Sequence, residues 1–336
     1  MDPSKCIFIA DNQGRARAYN PEETLANQIS AWRGWYCSAG VENIFINGDG
    51  KIFIASCALG GILGNVYAGG NKIRDKWFRC TKALCTCGAD MRLSKVKNEA
   101  DIERLGRLKP EDLDFTAPMG EPAMVGRIWE PDTAFNLNWD IGRRCNYSCS
   151  YCSPVTSNTY EEHKTWEQLS FAVEEVERFF CRGRKGKWVF TGGEPTLNPR
   201  FMDLAKEIAA RGHRVHTQSN GSRSPEYYAE LMQYSLIGFS LHLEFLKVDR
   251  FLKVIESLIE LKATTPLLSW SWVGVRIMTG PGRLKEALAI KQQIAQLPGA
   301  GKQINQLVLA PLYDVETASK LQEYPSGELE EITLHS

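Results

Sequence analysis

The sequence predicts an α/β protein in which six β/α units build a parallel sheet, preceded by a small cysteine-rich domain that contains a β-hairpin. Three observations carry that prediction. Over residues 132–313, short apolar strand-like runs alternate with helix-period runs, the pattern of a parallel sheet with helices outside. Five cysteines, Cys37, Cys57, Cys80, Cys85 and Cys87, flank one glycine-turned hairpin. Three more, Cys145, Cys149 and Cys152, crowd into one short stretch directly after the first strand of the alternating region. The domain reading is 1–131 for the cysteine-rich part and its linker, 132–313 for the β/α core, and 314–336 for a C-terminal tail.

Taken in order, Cys6-Ile7-Phe8-Ile9-Ala10 reads as a strand. Asn20-Pro21-Glu22-Glu23 opens a helix, with Asn20 as N-cap, Pro21 in the first turn and Gly34 as the stop. Asn43-Ile44-Phe45-Ile46, the turn Asn47-Gly48-Asp49-Gly50 and Lys51-Ile52-Phe53-Ile54 make the hairpin. Residues 88–131, with mixed charge and four prolines, read as a bridge with one short helix at Asn98–Leu108.

In the core, the strands are Phe135–Trp139, Trp188–Phe190, Arg214–Gln218, Ile237–Leu243, Trp272–Met278 and Ile304–Leu309. Thr165-Trp166-Glu167-Gln168 is a capping box, and Trp166, Leu169, Val173, Val176 and Phe180 continue a helical stripe to Gly183. Asn198-Pro199 and Ser224-Pro225 open the next helices, and Val248–Leu261 is amphipathic.

Composition narrows the function classes. Forty basic and forty acidic residues cancel, so no nucleic-acid or membrane surface is advertised. No apolar run approaches the roughly 20 residues that span a bilayer, and Met1-Asp2-Pro3-Ser4-Lys5 lacks the features of a signal peptide. Ten cysteines in such a chain point to metal ligation in a reducing compartment, hence a cytoplasmic expectation. Cys6 and Cys181 read as buried apolar thiols.

Cys145-Asn146-Tyr147-Ser148-Cys149-Ser150-Tyr151-Cys152 has the spacing C-x3-C-x2-C. Three thiolates there can hold three irons of a [4Fe–4S] cube and leave the fourth open, whereas a structural cluster normally has four cysteine ligands. On spacing alone, the three cysteines with a distant His would also close a zinc site. About forty residues on, Trp188-Val189-Phe190 runs into Thr191-Gly192-Gly193-Glu194-Pro195. The two motifs, each at a strand end and in this order, resemble the signature of the radical SAM superfamily, over roughly Phe135 to Asp314. The six β/α units resemble that superfamily's partial (β/α)6 TIM barrel, whose chemistry gathers at the C-terminal strand ends.

The resemblance implies a [4Fe–4S] cluster on Cys145, Cys149 and Cys152 whose open iron takes the amino and carboxylate groups of S-adenosylmethionine (SAM). Gly192, Gly193 and Glu194 are expected at the methionyl ammonium, Tyr151 near the adenine, and Asn220 and Ser240 at the ribose or carboxylate. Ordinary strand-end hydrogen bonding is the other reading for the last two. Ser240, His242 and Glu244 alternate on one strand, so His242 and Glu244 are expected to meet the substrate as an acid/base pair, or else to pack or be solvated. Arg276 is expected to meet a carboxylate of SAM or substrate. Cys37, Cys57, Cys80, Cys85 and Cys87 resemble a SPASM/twitch module holding one auxiliary [4Fe–4S] cluster, although such modules usually follow the barrel; a structural zinc site is the other reading. The loop Ser153–Lys164 is a candidate gate.

The function implied is reductive cleavage of SAM to a 5′-deoxyadenosyl radical and hydrogen-atom abstraction from a C–H bond, an oxidoreductase-type reaction (oxidation, cross-linking or epimerisation) on a peptide or small molecule. A reducing partner such as flavodoxin or ferredoxin is implied. A radical SAM methyltransferase or a tRNA- or nucleoside-modifying enzyme is the alternative, and a non-catalytic iron–sulfur or zinc protein the third.

Overall fold

The computed structural model describes residues 7–19, 24, 29–127, 135–152, 162–312 and 322–335. Cys6, the helix opening at Asn20, most of the candidate gate and the start of the tail lie outside the described residues. The chain divides into two compact units. One comprises Met1–Ile46, Lys51–Leu137 and Glu175–Arg184; the other comprises Asn47–Gly50, Asn138–Glu174 and Lys185–Ser336. Among the described residues no helix is long and apolar enough to cross a membrane.

The first unit contains a six-stranded sheet in the order β2-β1-β9-β8-β3-β7. These strands are β1 (Ile7–Ala10), β2 (Ala16–Tyr19), β3 (Tyr36–Cys37), β7 (Phe78–Arg79), β8 (Lys95–Val96) and β9 (Met124–Arg127). All its registered pairs are antiparallel. Strand β1 is buried on both faces because its alternate residues serve two cores. Phe8 and Ala10 pack with Val96, Leu113 and Met124, while Ile7 and Ile9 pack with Trp32, Met91 and Val125. The expected hairpin forms as β4 (Asn43–Ile46) and β5 (Lys51–Phe53), in the register Phe45↔Phe53 and Ile46↔Ile52, and β6 (Ile62–Asn65) pairs outside β5.

Reading 88–131 as a bridge missed β8 and β9, which sit inside the sheet rather than between modules. They are two and four residues long, and cross-strand pairing rather than any local pattern makes them strands. The helix expected at Asn98–Leu108 is a 3₁₀ turn, Glu99–Asp101, followed by the helix Ile102–Arg107.

The second unit is mixed α/β. Strands β10 (Phe135–Asp140), β11 (Gly186–Thr191), β12 (Arg214–Ser219), β13 (Ser235–His242), β14 (Val273–Thr279) and β15 (Gln306–Pro311) lie side by side in chain order. Every pair from β11 to β15 is parallel. The intervening helices include Phe201–Ala210, Pro225–Leu231, Val248–Thr264 and Leu284–Ala295. Alternation assigns the strand faces. One face buries Trp139, Trp188, Phe190, Phe239 and Val275. The other carries Asp140, Thr191, Gln218, Ser240, His242, Arg276 and Met278, none of them fully buried.

Local signals are honoured at the helix starts. Thr165 and Gln168 exchange the reciprocal capping-box bonds, 2.9 and 3.4 Å, and the Ser224 hydroxyl accepts from Tyr227 N ahead of Pro225. The stripe through Phe180 departs from expectation. The α-helix Trp166–Val176 gives way to a π-helical turn, Glu177–Cys181, and Arg182 N reaches back five residues to Glu177 O. The wider turn carries both Phe180 and Cys181 into the interior.

Phe239 sits edge-on to Tyr228 and Phe251 at 5.1 and 5.2 Å between ring centroids and is 1% exposed. Phe239→Ala is expected to cost about 3–5 kcal/mol. The check is the urea unfolding midpoint followed by tryptophan fluorescence, and an unchanged midpoint refutes it.

Candidate active site

The loop carrying Cys145, Cys149 and Cys152 leaves the end of β10, and the Gly-Gly-Glu segment leaves the end of β11 beside it. The two are joined backbone to backbone. Ile141 N donates to Thr191 O (3.2 Å), Gly193 N to Gly142 O (3.0 Å) and Glu194 N to Arg144 O (2.8 Å). A Cβ on Gly192 would overlap the Gly142 carbonyl, and one on Gly193 would overlap the carbonyls of Arg143 and Arg144. Gly192 also holds φ at +118°, where side chains are strained. The glycines are needed because backbone packs directly on backbone.

Glu194 is 3% exposed and accepts four hydrogen bonds: from Asn220 N (2.6 Å), Thr196 N (3.1 Å), Thr196 Oγ1 (2.6 Å) and Ser219 Oγ (2.9 Å). Burial pushes its carboxyl upward and those donors push back. In the structure Glu194 is a strut between the ends of β11 and β12. Asn220 extends the strut, its amide donating to Asn146 Oδ1 at 2.9 Å and standing 4.0 Å from Cys145 Sγ.

A second brace comes from the end of β13. Glu244 accepts from Ser150 N at 2.8 Å and from the Ser150 hydroxyl. His242 Nδ1 lies 2.9 Å from the Tyr151 hydroxyl, their rings stacked at 5.8 Å. The expected acid/base pair thus makes its described contacts with the cysteine loop. The reason is local: β13 ends at His242, and Phe245 N and Leu246 N turn back onto His242 O. Period-2 alternation does not extend to Glu244.

Burial lowers the His242 imidazolium to about 4, with Glu244 opposing, so the ring is neutral near pH 7. The Tyr151 hydroxyl also bonds Cys149. Once Cys149 is ionised, as metal ligation requires, its thiolate can only accept and Tyr151 has one proton to donate, so the chain would run His242 Nδ1–H to Tyr151 O–H to Cys149 sulfur.

The three cysteines are free and half-buried. Burial raises the thiols of Cys145 and Cys149, the latter to about 12, and neighbouring cysteine charges add to the rise. Metal must therefore displace their protons. Donors already face the sulfurs: Tyr147 N lies 3.4 Å from Cys145 Sγ, and the Asn220 amide and Tyr151 hydroxyl stand close by. That donor set fits an iron–sulfur cluster, whose sulfurs are tuned by such bonds. Among the described residues no trio of His, Cys, Asp or Glu side chains converges to single-ion distance.

Ser240 and Arg276 are register partners on the open strand face, Ser240 half-buried and Arg276 exposed. Sequence reasoning missed Asp140 on that face. It accepts from the Thr191 hydroxyl, and burial raises its carboxyl to about 6. The signal was present in Phe135-Asn136-Leu137-Asn138-Trp139-Asp140, whose polar positions alternate.

In the first unit, Cys37, Cys57, Cys80, Cys85 and Cys87 are all free. The structure brings them within one another's electrostatic reach. Burial raises Cys37 to about 11 with Cys80 adding to it, and the rise at Cys85 includes Cys37 and Cys87. Cys57 N donates to Asp90 Oδ2 at 3.1 Å, and Cys87 Sγ lies 3.4 Å from Ser56 Oγ.

Residues 139–259 match the family model of the Radical SAM superfamily. Among curated proteins, the chain is similar to a GTP 3′,8-cyclase of Crocosphaera subtropica, 30% identical over 118 residues, covering 33% of this chain and 34% of that one. It is also similar to the neomycin C epimerase of Streptomyces fradiae, 27% identical over 159 residues, covering 43% and 50%. The match therefore spans a third to a half of the length of these relatives. Among solved structures, Streptococcus suis SuiB bound to S-adenosylmethionine aligns with TM-score 0.42 and 14% identity, over 60% of this chain and 46% of that one.

Two outcomes are expected. Gly193→Ala forces the Arg143–Arg144 carbonyls away and is expected to lower iron bound per chain by up to about half after anaerobic reconstitution, measured by iron assay; unchanged iron refutes it. For Asp140, the folded carboxyl is raised from 3.8 to about 6, so the native state binds more protons between those values and stability falls as pH rises through them. The loss is about 3 kcal/mol, and Asp140→Asn is expected to remove it. Urea midpoints from pH 4 to 8 check this; parallel curves for the two proteins refute it.

Proposed function

We propose that the chain is a radical SAM enzyme with a partial (β/α)6 barrel, an N-terminal SPASM/twitch-like module holding one auxiliary [4Fe–4S] cluster, and oxidoreductase-type chemistry on a peptide or small molecule. The observation that carries this reading is the three-thiol loop at the end of the first strand, clamped by Gly192, Gly193 and Glu194. Cys145, Cys149 and Cys152 would hold the cluster. When bound, it supplies the electron that cleaves SAM to methionine and the 5′-deoxyadenosyl radical, which takes hydrogen from the substrate.

The chain's own residues do the rest. Gly192 and Gly193 fix the height of the loop, and Glu194 and Asn220 tie it to the end of β12. Glu244, His242 and Tyr151 brace its far side, so His242 and Glu244 are positioning residues in this reading. Ser240 and Arg276 offer a hydroxyl and a guanidinium to a carboxylate. Asp140, with a carboxyl titrating near 6, can hold or release a proton at the interior face. Cys37, Cys57, Cys80 and one or both of Cys85 and Cys87 are the auxiliary ligands. An external one-electron donor such as flavodoxin or ferredoxin is required, and a reducing, cytoplasmic setting suits the free thiols.

Anaerobically reconstituted protein is expected to hold about eight irons and, with dithionite and SAM, to release 5′-deoxyadenosine. Cys149→Ala is expected to lose about half the iron and all of the nucleoside, followed by chromatography. Zinc without SAM cleavage in the wild-type protein refutes the proposal.

A further inference from the structure

Lys95 is one of the most deeply buried side chains in the protein, 2% exposed. An ammonium in such a place must be compensated. Its Nζ donates to three carbonyls, of Asp90 (2.8 Å), Leu93 (2.9 Å) and Met91 (3.2 Å), and lies 4.4 Å from the centre of the Trp32 ring. Two of those carbonyls end the short helix Gly88–Met91, where a cation is favoured. Three carbonyl dipoles and an indole face hold one positive charge in a fixed place.

That place is beside the N-terminal thiols. Lys95 on β8 and Cys37 on β3 are direct cross-strand partners, whose side chains leave the sheet together. Cys85 packs against the cluster that contains Trp32 and Met91, the same ring and carbonyl that hold the Lys95 ammonium. Cross-strand register and shared packing therefore place one buried cation beside Cys37 and in the same cluster as Cys85.

We propose that Lys95 tunes the metal group held by Cys37, Cys57, Cys80, Cys85 and Cys87, stabilising its reduced form and raising its reduction potential. The inference rests on the auxiliary-cluster reading above. Reduction adds one negative charge to a group already negative from its thiolates. A desolvated ammonium nearby favours that added charge far more than an exposed one does, because little water screens it. A helix-capping role alone would ask only for donors to three carbonyls, and would leave the potential unmoved.

The test uses the full chain with Cys145, Cys149 and Cys152 changed to Ala, so that only the N-terminal group is read by redox titration followed by EPR. Lys95→Gln keeps a donor for the carbonyls and removes the charge. It is expected to shift the reduction equilibrium about tenfold toward the oxidised form, ~59 mV more negative for a one-electron couple, while Lys95→Arg stays near the parent. An unchanged potential in Lys95→Gln overturns the proposal. Should Lys95→Gln bind no iron, retention of iron by Lys95→Arg shows that the charge is what the group requires, and its loss from Lys95→Arg overturns the proposal in favour of a packing role. If the triple-alanine protein with Lys95 intact holds no iron, the auxiliary-cluster reading fails at its own level, before Lys95 is touched.

Discussion

Two glycines pressed against three carbonyls set the geometry of the candidate site. Gly192 and Gly193 let the end of β11 touch the backbone that leads from β10 into the cysteine loop, and no side chain fits between them. Two backbone hydrogen bonds then fix the register, Gly193 to Gly142 and Glu194 to Arg144. Glu194 continues outward into four donors from the β11 and β12 ends. Loops are ordinarily the mobile part of a fold, but this one is tied at its root to main chain. The sulfurs therefore start from a defined position before any metal arrives.

The fixing has an electrostatic consequence. The thiols of Cys145 and Cys149 are raised, so they resist ionisation on their own until a metal takes the proton's place. Neutral donors then face the sulfurs: the Tyr147 amide, the Asn220 side chain and the Tyr151 hydroxyl. His242, kept neutral by its own burial, orders the last of these through the contact between its Nδ1 and the Tyr151 hydroxyl.

Much of this was legible in residue order. The strand-end position of both motifs, the capping box at Thr165 and the cap at Ser224 are local signals, and they were readable because local geometry alone decides them. Glu244 was misread because a strand period was carried past the strand's last residue, where the chain turns. Strands β8 and β9 were missed because two- and four-residue segments owe their conformation to partners far along the chain. Lys95 was invisible for the same reason. A lysine in Arg92-Leu93-Ser94-Lys95-Val96 reads as solvated, and only its pairing opposite Cys37 and the Trp32 face reveals a buried charge. Asp140 sat in a readable alternation whose polar side was not followed.

The chain treats its two thiol sets differently, and the difference has a direction. Around Cys145, Cys149 and Cys152 the nearest donors are uncharged, and the nearby carboxylates Glu194 and Glu244 raise the thiols further. Around Cys37 and Cys85 a fixed ammonium works the other way, with the Asp90 carboxylate opposing it. A metal group among negative neighbours and neutral donors is harder to reduce, and once reduced is the stronger electron donor. One beside a desolvated cation accepts an electron more readily. In the proposed reaction, bond cleavage in SAM would ask for the first property, and removal of an electron from a substrate after hydrogen abstraction for the second. In the proposed reading, the placement of charge within each set favours a donor role for the loop after β10 and an acceptor role for the N-terminal cysteines.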